Sequence, residues 1–190
     1  MRIISGKLGG RVFQPPANMP YTRPTTDIAK SGLFNILEHN IDLQDLKTLD
    51  LFGGTGSISY ELASRGAGHQ TIVEKDTQMA AYIKQTAQKL GLSLHLIKMD
   101  VFKYISQCTE KFDLIFAGPP YALTEIDQLP DLIMQKEMLQ EGGWFILEHT
   151  PRNSYVDHPL FKTERHYGTT VFSIFINSRQ TPAGNEETSE

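Results

Sequence analysis

The sequence predicts an α/β protein whose sheet is mostly parallel and ends in an antiparallel hairpin. From about residue 47, short runs rich in β-branched and aromatic residues alternate with stretches of helical periodicity, which is typical of parallel strands joined by helices. The five runs are TLDLF (48–52), QTIVE (70–74), LHLIKM (94–99), FDLIFA (112–117) and WFILEH (144–149). After the fifth run, two further β-rich runs flank Gly168, and this arrangement predicts a hairpin at an edge of the sheet.

Besides the helix that follows the glycine loop described below, three helices are predicted from apolar residues at helical spacing. The first begins near Thr25 or Thr26, and its apolar face comprises Leu33, Phe34, Ile36 and Leu37. The second repeats apolar side chains at Ala80, Ile83, Ala87 and Leu90. The third is opened by Pro130, where a missing N–H costs little, and repeats them at Leu129, Leu132, Ile133 and Leu139.

The length of 190 residues suits one domain, which we expect to span residues 1–178. Residues 179–190 have no apolar periodicity and are expected to form a flexible tail. Cys108 is the only cysteine, so an intrachain disulfide is excluded and a reducing compartment is the simplest interpretation. The start of the chain lacks the apolar stretch of a signal peptide, and no run approaches the roughly 20 apolar residues of a membrane span. These features predict a soluble, cytoplasmic protein without a membrane partner.

The charge is unevenly distributed along the chain. The net charge is −4, yet residues 1–30 contain one acidic and five basic side chains, a local charge of +4. The basic ones are Arg2, Lys7, Arg11, Arg23 and Lys30. A basic segment on an acidic body can contact phosphates locally, and a solvated surface is the equally simple alternative.

The run Leu49–Gly56 (LDLFGGTG) is the first candidate site. An apolar strand ends in a glycine-rich loop, and a helix with Ile58 and Leu62 on one face follows. Glycines let backbone N–H groups approach a ligand at the positive N-terminus of a helix, and ligands bind at this end of strands in open α/β sheets. The alternative is a tight strand–helix turn without a ligand.

Two acids follow the next two strands. Glu74 comes 20 residues after Gly54, where a carboxylate accepts hydrogen bonds from ribose hydroxyls in nucleotide sites. Asp100 can contact an adenine amino group beside Val101 and Phe102. A helix N-cap is an equally good interpretation of Asp100.

The loop favours S-adenosylmethionine over a nicotinamide dinucleotide. A dinucleotide fingerprint places glycine or alanine three residues after Gly56, and Ser59 stands there instead. Asp50 is placed to reach the amino group of a methionine moiety rather than a pyrophosphate. A nicotinamide-dependent oxidoreductase remains the distant alternative.

The fourth strand ends in Gly118-Pro119-Pro120-Tyr121, which indicates a target-base site. Adjacent prolines fix the backbone and leave carbonyls without competing N–H donors. Such carbonyls can accept hydrogen bonds from an exocyclic amine, and Tyr121 can stack on an extruded base. The alternative is an ordinary proline-rich strand exit. No histidine pair has ligand spacing, and Cys108 has no adjacent base, so neither a metal site nor a thiol nucleophile is predicted.

The chain resembles the bacterial 16S ribosomal RNA guanine-N2 methyltransferases of the RsmD type, over nearly everything to about residue 177. The resemblance is carried, in order, by MRIISGKLGGR (1–11), RPTTD (23–27), LFNIL (33–37), LDLFGGTGS (49–57), SRGA (64–67), VEKD (73–76) and RHYG (165–168). It implies a Rossmann-like class I methyltransferase fold with a mostly parallel seven-stranded sheet. It also implies a small N-terminal extension, residues 1–40, that contacts RNA.

The resemblance further implies the role of each site residue. S-adenosylmethionine would be held by Asp50, Phe52, Gly53, Gly54, Thr55, Gly56, Glu74, Lys75, Asp100 and Val101. The target base would be held by Gly118, Pro119, Pro120 and Tyr121. RNA would be contacted by Arg2, Lys7, Arg11, Arg23 and Thr25. The expected partner is 16S rRNA or the assembling 30S subunit, with a monomeric enzyme and no metal.

The sequence departs from the family pattern at the catalytic motif. Gly118 stands where the family has Asp or Asn before Pro-Pro-Tyr, and Ser31 and Ile28 stand where Glu and Arg are usual in the first helix. Asp113 begins the fourth strand, too far from its active end to replace the missing acid. His149 and His166 are expected at sheet edges. Two hypotheses follow, an active methyltransferase and a weakened homologue that binds the methyl donor and RNA.

Overall fold

Seven strands form one sheet in the computed structural model, which describes residues 1–19 and 24–178. They are β1 Lys47–Asp50, β2 His69–Val73, β3 His95–Ile97, β4 Phe112–Ala117, β5 Leu139–His149, β6 Phe161–Tyr167 and β7 Thr170–Ile176. The order is β3-β2-β1-β4-β5-β7-β6. Strands β1 to β5 are parallel, and β7 runs antiparallel to both β5 and β6. The predicted sheet with its C-terminal hairpin is therefore confirmed.

The α-helices within the described residues are α1 Asp27–Asn40, α2 Ser57–Ser64, α3 Thr77–Leu90, α4 Val101–Gln107 and α5 Leu129–Gln135. Thr26 caps α1, its hydroxyl accepting a hydrogen bond from the Ala29 N–H at 3.2 Å, and this satisfies an N–H without a helical partner. Pro130 lies in the first turn of α5. The predicted starts of both helices are confirmed.

The apolar core lies on both faces of the sheet, because successive side chains of a strand point to opposite faces. In β4, Leu114 and Phe116 pack on the face covered by α1 and α2. Ile115 and Ala117 pack on the face covered by α4 and α5. Within the predicted N-terminal extension, α1 thus contributes to the core of the domain.

Leu139 corrects one predicted boundary. Its spacing placed it in the third predicted helix, but α5 ends at Gln135 and Leu139 is the first residue of β5, paired with Phe112. Glu137, with a φ of 49°, turns the chain between the two elements. The prediction was wrong because an apolar residue at this position is compatible with a buried strand as well as with the buried face of a helix.

His149 corrects a second prediction. The residue lies at the end of β5, an inner strand between β4 and β7, and is completely buried. Its Nε2 is 2.7 Å from Ser173 Oγ and its Nδ1 is 2.8 Å from the Thr150 carbonyl oxygen. Burial lowers the pKa of His149. His166 does lie on the edge strand, β6.

The N-terminal segment is attached to α2 through the buried carboxylate of Glu61. Glu61 accepts hydrogen bonds from the backbone N–H groups of Ile4 at 2.8 Å and Ser5 at 3.0 Å. Arg65 Nη2 contacts it at 2.7 Å and Lys30 Nζ at 3.4 Å, and all three charged side chains are buried. A carboxylate with this many donors ties the segment, α1 and α2 together.

Lys30 therefore does not belong to the basic surface that the charge count indicated. Its side chain is 1% exposed, and its Nζ donates to the Arg2 carbonyl oxygen at 2.6 Å and to Ser57 Oγ at 3.0 Å. Burial lowers the pKa of Lys30, and the charge of Glu61 opposes that effect. Its charge is neutralised inside the domain.

In the part of the chain that the structure describes, no helix has both the length and the apolar character needed to span a bilayer.

We expect Glu61→Ala to destabilise the protein by about 3–5 kcal/mol, because the substitution leaves Lys30 and Arg65 buried without their carboxylate. Urea unfolding followed by circular dichroism measures the change. Glu38→Ala is the matched control, since Glu38 contacts the same Arg65 at 2.8 Å with a side chain 46% exposed, and it should cost no more than about 1 kcal/mol. Equal midpoints for the two variants would contradict the role of Glu61.

Candidate active site

The candidate site lies at the carboxyl ends of four neighbouring parallel strands, β2, β1, β4 and β5. In β1, Asp50 pairs with Ile72 of β2 and Phe116 of β4. On the other side of β4, Ala117 pairs with Leu147 of β5. Because parallel strands end at the same edge, this register brings the glycine loop together with the residues that follow β2, β4 and β5.

The glycine loop turns sharply between β1 and α2. The Gly53 N–H donates to the Val73 carbonyl at 2.9 Å, and the Gly56 N–H donates to the Gly53 carbonyl at 2.7 Å. Gly56 has a φ of 77° at the start of α2, a conformation that favours glycine. A Cβ on Gly53 would lie 2.5 Å from Ile72 Cγ2, so the loop passes against β2 where no side chain fits.

Glu74 holds this loop in place. One carboxylate oxygen accepts from the Gly54 N–H at 2.8 Å and the other from the Asp76 N–H at 2.8 Å. The structure thus brings Glu74 to the loop, and the contact with a ribose stays a prediction. Each carboxylate oxygen accepts more than one hydrogen bond, so the ribose contact remains compatible with the loop contact.

Asp50 is buried beneath the loop. Its Oδ2 accepts from Ser59 Oγ at 3.1 Å, which gives a function to the serine that replaces the third glycine. Its Oδ1 is buried and has no hydrogen-bond partner among the described residues. Burial raises the pKa of Asp50 to about 7. The charges of Glu74 and Glu148 add to that effect, while hydrogen bonds from Ser59 and the Phe52 backbone oppose it. An acid in these surroundings would be stabilised by a cationic ligand group.

The other predicted cofactor residues surround the loop and the next two strand ends. Thr55 is buried, Phe52 is half-buried against the core, and Lys75 is exposed after Glu74. Asp100 caps α4, accepting from the N–H groups of Phe102 at 3.0 Å and Lys103 at 3.2 Å. The N-cap interpretation of Asp100 is therefore the one that the structure shows. Val101 is buried in the first turn of α4.

The structure corrects the expectation that the carbonyls of the proline segment after β4 lack competing N–H donors. Pro119 is buried, and the Pro120 carbonyl oxygen already accepts a hydrogen bond from the Leu123 N–H at 2.9 Å. That oxygen is not left without a donor, because the chain turns back immediately after Tyr121. The Tyr121 side chain is 39% exposed at the same edge.

Glu148 is the residue of this edge that the sequence analysis missed. It lies near the end of β5, is 5% exposed, and its Oε2 lies 3.5 Å from the position that a Cβ on Gly118 would occupy. Thr25 Oγ1 donates to the same oxygen at 2.6 Å. The signal was present, because an acid at the end of a predicted strand, here in the run WFILEH (144–149), is the same pattern that identified Glu74. Asp113, in contrast, accepts from the Lys47 N–H at 2.8 Å at the other end of the strand, far from the active end as predicted.

The predicted RNA-contacting residues have different surroundings. Lys7 and Arg11 are exposed, whereas the exposed Arg2 forms an ion pair with Asp27 at 3.1 Å. The Thr25 hydroxyl is engaged by Glu148, and Arg23 lies outside the described residues. In α1, Ile28 is 77% exposed and Ser31 Oγ donates to the Asp27 carbonyl at 2.7 Å.

The described residues contain no group of three or more His, Cys, Asp or Glu side chains that could hold a metal ion.

Comparison with known proteins gives consistent results. Residues 1–176 match the family model described as "Conserved hypothetical protein 95". The chain is 31% identical over 169 residues to the ribosomal RNA small subunit methyltransferase D of Haemophilus influenzae, covering 86% of this chain and 83% of that protein.

Two solved structures share the fold. A hypothetical protein of Thermus thermophilus superposes with a TM-score of 0.82 at 26% identity, covering 92% of this chain and 98% of that one. A T. thermophilus 16S rRNA N2 methyltransferase, in complex with AdoMet and guanosine, superposes with a TM-score of 0.66 at 20% identity, covering 82% of this chain and 44% of that one. The expected Rossmann-like class I methyltransferase fold is confirmed.

We expect Asp50→Asn to stabilise the protein at pH 8 by up to about 4 kcal/mol, from about three pKa units at 1.36 kcal/mol each. The folded state holds a proton on Asp50 between pH 4 and 7 that the unfolded state has lost, so this residue lowers stability as pH rises through that window. Above pH 7 the cost is complete, and the asparagine removes it.

Urea unfolding of both proteins at pH 5 and pH 8 checks this expectation. The gain from Asp50→Asn should be several-fold larger at pH 8. Asp157→Asn, at an exposed aspartate, is the control and should change stability equally at both pH values. A pH-independent gain for Asp50→Asn would contradict the raised pKa.

Proposed function

Because the chain belongs to the family of RsmD-type methyltransferases, we propose that it transfers a methyl group from S-adenosylmethionine to the exocyclic N2 amine of a guanine in 16S rRNA. We propose the assembling small subunit as the setting and the cytoplasm as the location. Residues 1–178 would act as one domain.

The observation that carries this proposal is the buried Asp50 beneath the glycine loop. Its Oδ1 lacks a partner among the described residues, and its neighbours Glu74 and Glu148 add negative charge. S-adenosylmethionine carries a positive sulfonium and an ammonium group, whereas a nicotinamide dinucleotide carries an anionic pyrophosphate. An acidic strand edge favours the former and disfavours the latter.

The residues fit S-adenosylmethionine in the following arrangement. Asp50 Oδ1 would accept from the ammonium group, while the loop backbone from Phe52 to Gly56 would contact the methionine moiety. Glu74 and Lys75 would lie beside the ribose, and Asp100 and Val101 beside the adenine. When bound, S-adenosylmethionine supplies a methyl group activated by the adjacent sulfonium.

The target base would lie at the end of β4. Pro119 and Pro120 fix the backbone there, and the exposed Tyr121 ring offers a stacking surface for an extruded base. The relative from H. influenzae is named for small-subunit rRNA, and the structural neighbour from T. thermophilus is an N2 methyltransferase in complex with guanosine. These names support guanine N2 as the target atom.

The alternative is a homologue whose catalysis is weakened because Gly118 replaces the family Asp or Asn. Gly118→Asp discriminates between the two, since a weakened enzyme should gain activity. In this structure a Cβ at Gly118 would lie 3.0 Å from Phe116 Cε1 and 3.5 Å from Glu148 Oε2. An added carboxylate would therefore crowd a buried ring and lie beside a second acid, so we expect no gain.

The proposed function is tested by incubating the protein with S-adenosylmethionine and either naked 16S rRNA or assembling small-subunit particles. Nucleoside mass spectrometry should detect N2-methylguanosine. Asp50→Asn should reduce the yield at low S-adenosylmethionine concentration, because it removes the negative charge next to the ammonium group. Absence of any methylated guanosine with both RNA substrates, or methylation at another base, would contradict the proposal.

Lys7 and Arg11 are proposed to contact phosphates from the exposed N-terminal segment. The double variant Lys7→Ala/Arg11→Ala should bind small-subunit RNA more weakly, and the slope of log affinity against log salt should fall by about 1.5, or 0.7–0.9 per lost contact. Filter binding between 50 and 300 mM salt measures the slope. Lys111→Ala/Lys136→Ala is the control, at two exposed lysines outside the N-terminal segment. Equal slopes for the two double variants would contradict the RNA surface.

A further inference from the structure

We propose that Arg152 binds a phosphate of the substrate RNA from the loop that follows β5, on the side of the domain where the target base lies. This inference rests on the proposed function, because it names a contact with the RNA that is methylated. Lys7 and Arg11 would contact phosphates from the N-terminal segment, and Arg152 adds a contact at the ends of the strands.

Arg152 lies at the same edge of the sheet as the proposed base site. β5 ends at His149, and the chain then makes a β-turn over residues 150–153. Successive Cα atoms are 3.8 Å apart, so three residues place the Arg152 backbone within about 11 Å of the end of β5. That strand is the parallel neighbour of β4, whose end leads into Gly118 and Tyr121.

The turn that presents Arg152 is held by several contacts. Pro151 occupies its second position, where the fixed φ of proline suits the common turn types. The Asn153 N–H donates to the Thr150 carbonyl oxygen at 3.2 Å and closes the turn. The buried His149 ring reaches the same oxygen with Nδ1 at 2.8 Å, and Nδ1 is the donor because a carbonyl oxygen only accepts.

Asp127 joins this turn to the segment that contains Tyr121. Its Oδ1 accepts from Asn153 Nδ2 at 3.0 Å and from the Tyr155 hydroxyl at 2.8 Å. Asp127 lies in the short 3-10 helix Ile126–Gln128, six residues after Tyr121. The loop with the proposed cation and the loop with the proposed stacking ring are therefore held together.

The guanidinium of Arg152 is available to a ligand. The residue is exposed, and its guanidinium forms no ion pair or hydrogen bond with the residues that the structure describes. The exposed Arg2, in contrast, is paired with Asp27 at 3.1 Å. A guanidinium suits a phosphate, because two of its parallel N–H groups can donate to two phosphate oxygens.

The distribution of charge favours a phosphate contact at this position. Arg152 is the only lysine or arginine in the loops after β4 (118–128) and β5 (150–160), which contain three acidic residues. Asp50 and Glu74 add negative charge at the neighbouring strand ends. These acids repel RNA from the edge where its base must enter, so one unpaired cation beside them gives the phosphate chain a local partner.

The test measures RNA binding and methyl transfer for Arg152→Ala. We expect the slope of log affinity against log salt to fall by about 0.7–0.9, the value for one lost phosphate contact. The KM for small-subunit RNA should rise about tenfold, as for one charge-assisted hydrogen bond. The kcat at saturating RNA and the Kd for S-adenosylmethionine should not change, because Arg152 would contact neither the methyl donor nor the amine.

Two variants serve as controls. Arg152→Lys keeps the positive charge and should restore the slope and most of the affinity, because a lysine binds phosphate as a point charge. Lys111→Ala removes an exposed charge outside both loops and should keep the wild-type slope and KM. A loss of affinity in Arg152→Ala that Arg152→Lys does not restore, or an equal loss in Lys111→Ala, would overturn the inference.

The outcomes separate this inference from the proposed function. If the wild-type protein does not methylate guanine N2, the proposed function fails and this inference fails with it. If the wild-type protein is active and Arg152→Ala keeps both its salt slope and its KM for RNA, this inference alone is overturned. A lower kcat at saturating RNA with an unchanged slope would also overturn it, because Arg152 would then act on the reaction and not on a phosphate.

Discussion

The arrangement of this domain depends on the buried carboxylate of Glu61. It accepts two backbone N–H groups of the N-terminal segment and contacts the side chains of Lys30 and Arg65, so one residue joins that segment to α1 and α2. α2 has only eight residues, about 12 Å, and begins at the glycine loop. The surface proposed for RNA and the loop proposed for the methyl donor are therefore held by opposite ends of one short helix.

The second constraint is the accumulation of acids at the carboxyl edge of the sheet. Asp50, Glu74 and Glu148 come from three different strand ends, and the latter two help to raise the pKa of the first. The repulsion between these acids lowers the stability of the free protein. Such an arrangement is typical of functional sites, where the repulsion is retained because a bound ligand relieves it. The hydrogen bonds from Ser59, the Gly54 N–H and Thr25 limit that cost.

Periodicity was enough to predict the sheet, the hairpin and the starts of α1 and α5, because these depend on local patterns of two and 3.6 residues. The spacing of Glu74 from the glycine loop agrees with the hydrogen bond that its carboxylate accepts from the Gly54 N–H, while the ribose contact stays a prediction. Local sequence patterns could not show that Leu139 opens β5 or that His149 is buried, because both depend on which strands become neighbours. Glu148 was missed for the same reason: its proximity to Gly118 is set by the register of β4 and β5, and 30 residues separate the two in sequence.

The proximity of position 118 and Glu148 also bears on how members of this family are recognised in genomes. A motif search that examines only the residue immediately before Pro119 would classify this chain as defective. Such a search takes no account of residues that are distant in sequence and close in space. Glu148 comes from the neighbouring strand, 30 residues later, yet its Oε2 lies 3.5 Å from the position that a Cβ on Gly118 would occupy. Homologues with glycine at this position should therefore be compared at the end of β5 as well as at the residue before the two prolines.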